Sequence, residues 1–423
     1  MSHIDVFIVI DREQRVLLLN GSLPEHTQAF HFWQSSENAN RALKTQFGID
    51  AITLRVIGTD WGEDSTRFTY LMQYQGRELP PDAKWTPADH APEAAQMALA
   101  WLVTTHPYRV PWYLTNFVDE IRQTMRERFG ADARLEQVRS WGRSSIWRLH
   151  MDDSTAYLKV VPPMFAHEPQ LSARLAQAFP QFVPAIVAVE SGNWFVLADY
   201  GGESLFAASK RDFDLWERAL REYARFQQRT RALVAQLVSD TSLPVRNLNW
   251  ISLHWRALLA DEAALDRGTQ PINVEERQQI ADYLPKVEAA LAALRAQELT
   301  ALVHGDFWAG QIVQTVDDRL LFTDWSDAAV AHPFFDIAFF LSEIAADLPN
   351  EPGAKDRLVQ AYLSEWAAAG SAELYRACEI IAPLYTTLRY HHDILPRMEI
   401  AWEMENMLNY NLRLMLRACA SAS

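Results

Sequence analysis

Apolar positions change their rhythm twice along this chain. In the first hundred residues they come in short runs: Val6–Ile10 and Arg15–Leu19 flank the polar stretch Asp11–Gln14, the pattern of a β-hairpin. Asn38–Phe47 carries a helical period that stops at Gly48, a residue suited to a helix C-cap. Leu54–Gly58 and Arg67–Gln75 read as further strands, and Pro80, Pro81 and Pro87 close this small α/β unit. A helix over Ala91–Thr104 and a linker-like His106–Pro111 follow.

A second pattern begins near residue 112. A helix over Leu114–Phe129 precedes strands at Leu135–Ser140, Ile146–His150 and Ala156–Val161, then a helix over Phe165–Phe179. Val183–Val189 and Trp194–Asp199 complete five strands. Beyond Gly202 the period is helical, over Phe213–Arg229, Ile251–Ala264 and Val274–Gln297. A β-rich patch, Ala301–Trp325, interrupts it before helices resume from Phe334 to the end. The pattern predicts three parts, 1–108, 109–202 and 203–423.

Composition narrows the classes. Of 423 residues, 49% are apolar and 22% charged, which fits a folded globular chain rather than a disordered one. The formal charge of −15, without a local basic patch, argues against a nucleic-acid partner. No run of 18 apolar residues predicts a membrane span, and the N-terminus has no basic-then-apolar leader. The only cysteines, Cys378 and Cys419, are too few for a disulfide framework and suit a reducing compartment. A cytoplasmic location is the expectation.

The chemistry concentrates late in the chain. Leu302-Val-His304-Gly305-Asp306 is followed by Gln311, then Leu321-Phe-Thr-Asp324-Trp325, then His332-Pro-Phe-Phe-Asp336-Ile-Ala. This ordered set resembles the aminoglycoside phosphotransferase and choline kinase family: His-Gly-Asp, an amide five residues after that Asp, Asp-Trp or Asp-Phe, then Pro…Asp-hydrophobic-Ala at a helix start. The resemblance covers residues 112 to 340 well and the remaining helices more loosely. It implies an α+β, bilobal protein-kinase-like fold with a β-rich N-lobe and a helical C-lobe, and it implies ATP and Mg2+ as cofactors. Phosphoryl transfer is mostly positioning and charge neutralisation, so a carboxylate to orient the hydroxyl and hard oxygen donors for magnesium are what it needs. Asp306 is assigned as catalytic base, and Gln311 and Asp324 as metal ligands. Gln311 departs from the family's usual Asn and resembles maltokinase-like members; it keeps the carbonyl donor one methylene further out. His304 and Asp336 are structural support, Asp336 holding the catalytic loop through backbone hydrogen bonds.

The nucleotide side is expected upstream. Lys159 sits in an otherwise apolar strand, where a lysine either lays its stem on the sheet and reaches water or pairs with phosphate; the downstream motif favours phosphate. Glu168 resembles its helix partner by position. Ser140–Ser145, with Gly142 and Ser144, resembles the phosphate-covering loop, and Val196–Gly202, with Ala198, the hinge facing adenine. His-Arg-Asp and Asp-Phe-Gly tripeptides are absent, which disfavours a protein kinase.

The helix Arg41–Ile49 resembles the second half of a Nudix box through Arg41, Leu43, Gly48 and Ile49. The family's glutamates fall on Ala42, Thr45 and Gln46, so little remains to hold magnesium. The first part is therefore expected to be a small α/β Nudix-like domain without hydrolase activity. A cap over the N-lobe, a homodimer surface and a ligand sensor stay open as its role.

The function expected is transfer of the ATP γ-phosphate to a small-molecule hydroxyl acceptor, on a sugar, amino sugar, aminoglycoside or amino alcohol. The alternative is a non-catalytic nucleotide- or metabolite-binding pseudokinase, for which the Gln311 departure and the eroded Nudix box speak. Asp327, Glu343, Asp393, Glu399 and Glu403 either receive a cationic amine or are solvated helix-face charges. Trp325, Trp366 and Trp402 either stack on a sugar or fill the core, and His391-His392-Asp393 lacks a third spaced metal ligand.

Overall fold

The structure, a computed structural model, describes residues 2–62, 66–152, 154–207, 212–297, 299–345, 353–369 and 372–421. The chain forms two compact units: Met1–Pro162 with Trp194–Asp199, and Pro163–Asn193 with Tyr200–Ser423. The first unit thus contains the whole stretch 1–108 together with four of the five strands expected after it.

The first unit opens on strands β1 (Ser2–Ile10), β2 (Val16–Leu19), β3 (Glu25–Ala29), β4 (Ala51–Trp61), β5 (Thr66–Tyr74) and β6 (Ala83–Thr86). They form a mixed sheet in the order β4-β5-β1-β2-β6, with β3 paired to β1. The β1–β2 hairpin expected from the apolar runs is present. β1 also runs parallel to β5, pairing His3 with Thr66 through Ile10 with Gln73. Helix α1 (Ser36–Phe47) ends at Gly48, whose φ of 68° is left-handed and whose N–H donates to the Lys44 carbonyl. Helix α2 (Glu93–Val103) lays Ala95, Ala98 and Leu99 against Ile8, Ile10, Leu54 and Leu71 of the sheet.

After helix α3 (Phe117–Phe129), strands β7 (Arg134–Trp141), β8 (Ser144–Met151) and β9 (Ser154–Val160) form an antiparallel meander in the same unit. The next two strands are β10 (Ile186–Glu190), in the second unit, and β11 (Trp194–Ala198), which pairs with β9 in the first. The meander is bonded to the preceding sheet by side-chain amides. Gln137 Nε2 donates to the Thr53 carbonyl at 2.7 Å, and Gln137 Oε1 accepts from the Thr53 N–H at 2.9 Å and from Asn40 Nδ2 at 3.0 Å. The Ser140 hydroxyl adds a 2.9 Å bond to the Leu54 carbonyl. β7 has a register shift between Gln137 and Arg139, and β4 has one between Thr53 and Arg55, so each strand is irregular where the two meet.

The second unit begins with α4 (Glu168–Ala178), three residues later than the expected start. Pro163 opens a short 3₁₀ turn, and Pro169 sits in the first helical turn, where its missing N–H costs nothing. After β12 (Glu203–Ser204) come α5 (Phe213–Thr230), α6 (Val234–Thr241), α7 (Leu248–Leu259), α8 (Glu262–Leu265) and α9 (Val274–Arg295). The single helix expected over Ile251–Ala264 is broken at Asp261, whose carboxylate caps the Ala264 N–H at 3.0 Å. Short strands β13 (Ala301–Val303), β14 (Ile312–Gln314), β15 (Leu320–Phe322) and β16 (Ala329–Ala331) follow, paired as β12-β14-β15 and β13-β16. Helices α10 (Phe334–Glu343), α11 (Ala354–Leu363), α12 (Ala372–Arg389) and α13 (Glu405–Ser421) finish the unit; residues 346–352, within the helical stretch expected after Phe334, lie outside the described residues. One large core runs from Leu171 to Cys419 and includes Trp325 and Trp366, whereas Trp402 is half-buried. Among the described residues no helix is long and apolar enough to cross a membrane.

Gln137→Ala is expected to lower the unfolding free energy by about 1–3 kcal/mol, because it strands the buried N–H and C=O of Thr53. Urea unfolding of both proteins measures the difference.

Candidate active site

The late motif folds into one knot of loops in the second unit. β13 delivers His304, Gly305 and Asp306; a 3₁₀ turn carries Gln311; β15 leads into Asp324; β16 leads into α10 and Asp336. Asp336 sits at its centre, fully enclosed. Its carboxylate accepts the backbone N–H of His304 at 2.8 Å and of Gly305 at 3.0 Å. It also accepts the Tyr223 hydroxyl and the Gln227 amide. Burial pushes the Asp336 carboxyl above its ordinary value, and the Tyr223 and backbone donors oppose that by favouring the charge.

His304 joins the two halves of the motif. Its Nε2 lies 2.7 Å from the Thr323 carbonyl, which requires a proton on Nε2. Its Nδ1 is then the acceptor facing the Asp306 N–H at 3.4 Å. The ring is fully buried and ties the segment before Asp324 to the loop bearing Asp306. Thr323 is the junction to Gln311 as well: its N–H donates to the Gln311 carbonyl at 2.9 Å, and its hydroxyl lies 3.4 Å from Gln311 Oε1. Asp324 has φ 64° and ψ 72°, a left-handed conformation that Asp adopts at a cost, and the Ser326 hydroxyl donates to its Oδ1 at 2.7 Å. Asp306, Gln311 and Asp324 are each half-buried, at the edge of an otherwise enclosed knot.

Gly305 has φ +81°, and a Cβ there would meet the Asp327 carbonyl oxygen at 2.4 Å, so no side chain fits. Its own carbonyl accepts from Arg389, whose other nitrogen bonds the Asp327 carboxylate. Both ion-pair partners are almost wholly buried. Asp327 is therefore neither an amine receptor nor a solvated charge, contrary to the two sequence readings. Asp393 is likewise committed, to Arg246 at 2.8 Å. His391 and His392 turn to different partners, Asp261 at 2.9 Å and Asp393 at 2.8 Å, and do not converge. Glu343, at the end of α10, stays exposed, yet desolvation and then the charge of Asp306 hold its carboxyl above the ordinary value.

Tyr223, Gln227, Tyr362 and Arg389 were not singled out in the sequence. Gln227 donates to the Leu302 carbonyl at 3.2 Å, and Tyr362 donates to Gln227 Oε1 and to the Pro333 carbonyl. The one available signal was chemical: Arg389, at the C-terminal end of α12, follows nine uncharged residues, Ile380–Leu388, and an arginine buried after such a stretch needs an anion.

In the first unit, Lys159 is a buried residue of β9, opposite Phe195 of β11, and Ala198 ends β11 opposite Ala156. Gly142 stands at the tip of the β7–β8 hairpin, where Trp141 faces Ser144 and donates its indole N–H to the Ser144 hydroxyl at 3.0 Å. Glu168 is placed in the second unit, fully buried at the start of α4.

The profile of the phosphotransferase enzyme family (APH) matches residues 134–374, more than half of the chain. The chain belongs to that family. Membership agrees with the enzyme class expected from the motif order, a phosphotransferase with an alcohol group as acceptor. Among solved structures, an ethanolamine kinase from Plasmodium vivax superposes with a TM-score of 0.53 at 12% identity, over 81% of this chain and 96% of that one. A macrolide 2'-phosphotransferase from Brachybacterium faecium gives 0.47 at 20% identity, over 69% and 97%. An aminoglycoside phosphotransferase from Streptomyces rimosus, in complex with ADP and streptomycin, gives 0.42 at 19%, over 64% and 99%. No curated protein matches by sequence. The first of these likenesses establishes the fold of this phosphotransferase, a mixed α+β chain with a sheet-rich N-terminal region and a helical C-terminal part.

Two outcomes test this site's framework. Arg389→Met is expected to cost about 3–5 kcal/mol by leaving the Asp327 charge buried alone, and pairing it with Asp327→Leu to recover most of that loss in urea unfolding. His332, buried just before α10, has its pKa lowered by burial from 6.5 to about 3. The unfolded state then binds a proton that the folded state refuses, so stability falls as pH drops from 6.5 towards 3. The share due to this one group is about 1.4 kcal/mol per pH unit, and His332→Gln removes it from the measured pH profile.

Proposed function

We propose that this phosphotransferase is an ATP-dependent small-molecule kinase that transfers the γ-phosphate to a hydroxyl of a sugar, amino sugar, aminoglycoside or amino alcohol. The observation that carries the reading is the Asp336 carboxylate gripping the N–H groups of His304 and Gly305, which fixes the backbone immediately before Asp306. Asp306 serves as the base that accepts the acceptor's hydroxyl proton as the oxygen attacks phosphorus. Proximity of Asp306 and Glu343 makes this part of the unit acidic and favours acceptors that carry an amine.

The donor set suits magnesium. Gln311 Oε1 and the Asp324 carboxylate are hard oxygen ligands on segments joined through Thr323, and the left-handed backbone at Asp324 is the strain expected where a carboxylate is held for a purpose. When bound, Mg2+ offsets the negative charge on the phosphates. Lys159, Glu168, Gly142, Ser144 and Ala198 are assigned to ATP by their match to the family pattern. Residues 1–108 are read as a degenerate Nudix-like domain: α1 ends in the matching Gly48-Ile49, and the glutamate positions are the buried Ala42 and the exposed Thr45 and Gln46.

ADP release from Mg-ATP across a panel of sugars, amino sugars, aminoglycosides and amino alcohols tests the proposal. Acceptor-dependent turnover should fall by about 10²–10⁴ in Asp306→Ala with ATP binding retained. An ATP-binding protein that stays silent across the panel would favour the pseudokinase.

A further inference from the structure

The first unit holds a cluster unrelated to phosphoryl transfer. His3 and Asp5 are two apart on β1 and so share one face of the strand. Gln28 lies opposite His3 on β3, and His31 follows two residues after that strand ends. We propose that His3, Asp5 and His31, completed by the side-chain oxygen of Gln28, form a binding site for one divalent transition-metal ion, zinc above all.

One ligand atom from each of His3, Asp5 and His31 can be chosen so that all lie within 4.8 Å of one another. His3 Nε2 is 2.8 Å from Asp5 Oδ1, and His31 Nε2 is 3.3 Å from Asp5 Oδ2. Ligands about 2.0–2.2 Å from a tetrahedral zinc stand roughly 3.3–3.6 Å apart, so the set needs only a slight opening. The histidine chemistry is in place as well. His31 Nδ1 lies 2.9 Å from the Phe32 carbonyl, an acceptor, so Nδ1 carries the proton. In the neutral ring Nε2 then carries a lone pair, which the Gln28 amide nitrogen faces at 3.2 Å while also donating to Asp5 Oδ2; a cation would replace that amide between the two acceptors. The Gln28 amide touches both Asp5 Oδ2 and His31 Nε2. Rotating that amide by half a turn exchanges its nitrogen for its oxygen and supplies a fourth ligand.

Burial gives the cation a purpose. Asp5 is fully enclosed and His3 1% exposed. Phe30 and Phe68 pack against the histidines, with the His3 and Phe68 ring centres 4.7 Å apart. A bound cation would face the Asp5 carboxylate in place of the Gln28 amide nitrogen, and four protein ligands leave no position for substrate. The ion's role is structural: it pins β3, whose Glu-His-Thr-Gln-Ala sequence holds little apolar surface, onto β1.

The full-length chain, stripped by a chelator, is titrated with Zn2+ in competition with a chromophoric chelator, and with Co2+ followed by its ligand-field absorption. One equivalent should bind, raise the Tm, and give tetrahedral Co2+ absorption. His31→Ala, at the rim of the cluster, and Asp5→Asn should weaken binding by more than about 10-fold, while His106→Ala, in the segment after α2, leaves it unchanged. Gln28→Glu should tighten binding by replacing an amide with a carboxylate, a gain that a hydrogen-bonding role would not produce. Absence of binding in the native chain overturns the proposal. So does binding that is indifferent to His31→Ala and Gln28→Glu in proteins with native circular dichroism.

Discussion

A buried carboxylate organises the loops of the second unit. Asp336 is only 2% exposed, so it must be satisfied from within, and its donors are the backbone of His304 and Gly305 and the side chains of Tyr223 and Gln227. The four donors come from two elements, two from the loop after β13 and two from helix α5. The desolvation cost of the anion thereby becomes a force that draws them into one geometry. His304 extends that geometry to Thr323 and hence to Asp324, so the proposed base and the proposed metal ligands share a framework rather than three separate loops.

Around this centre the polar groups are arranged in layers of decreasing burial. Arg389 and Asp327 close the knot from the side of α12, with Gly305 accommodating the approach of the Asp327 carbonyl. Outside them, Asp306, Gln311 and Asp324 are half-buried. The densely bonded part is enclosed and the residues proposed to react reach the edge, the order expected of a site whose catalytic power comes from preorganised charge.

Much of this was legible in the sequence, and the reasons differ by element. The helix ending at Gly48 was readable because its signal is local: apolar period, then a residue that tolerates positive φ. The motif from His304 to Asp336 was readable as an ordered spacing, although which residues grip Asp336 was not, since Tyr223 and Gln227 lie about a hundred residues away. Strand β3 escaped notice because Glu25–Ala29 has no apolar alternation; its partner β1 makes it a strand. The parallel pairing of β1 with β5 left no mark in either strand. Asp327 was left open between an amine receptor and a solvated charge, and only the three-dimensional contact with Arg389 reveals a framework ion pair.

The amide of Gln137 has a bearing on ancestry. It satisfies Thr53 on both its N–H and its C=O, as a neighbouring strand would, so residues 1–108 and the β7–β9 meander share side-chain hydrogen bonds across what the sequence presents as a domain boundary. A gene fusion that merely appended one module to another would not have this feature at the outset. Once acquired, it restricts later recombination: exchanging the first module for a relative's would succeed only where the incoming strand tolerates a bulge opposite a glutamine.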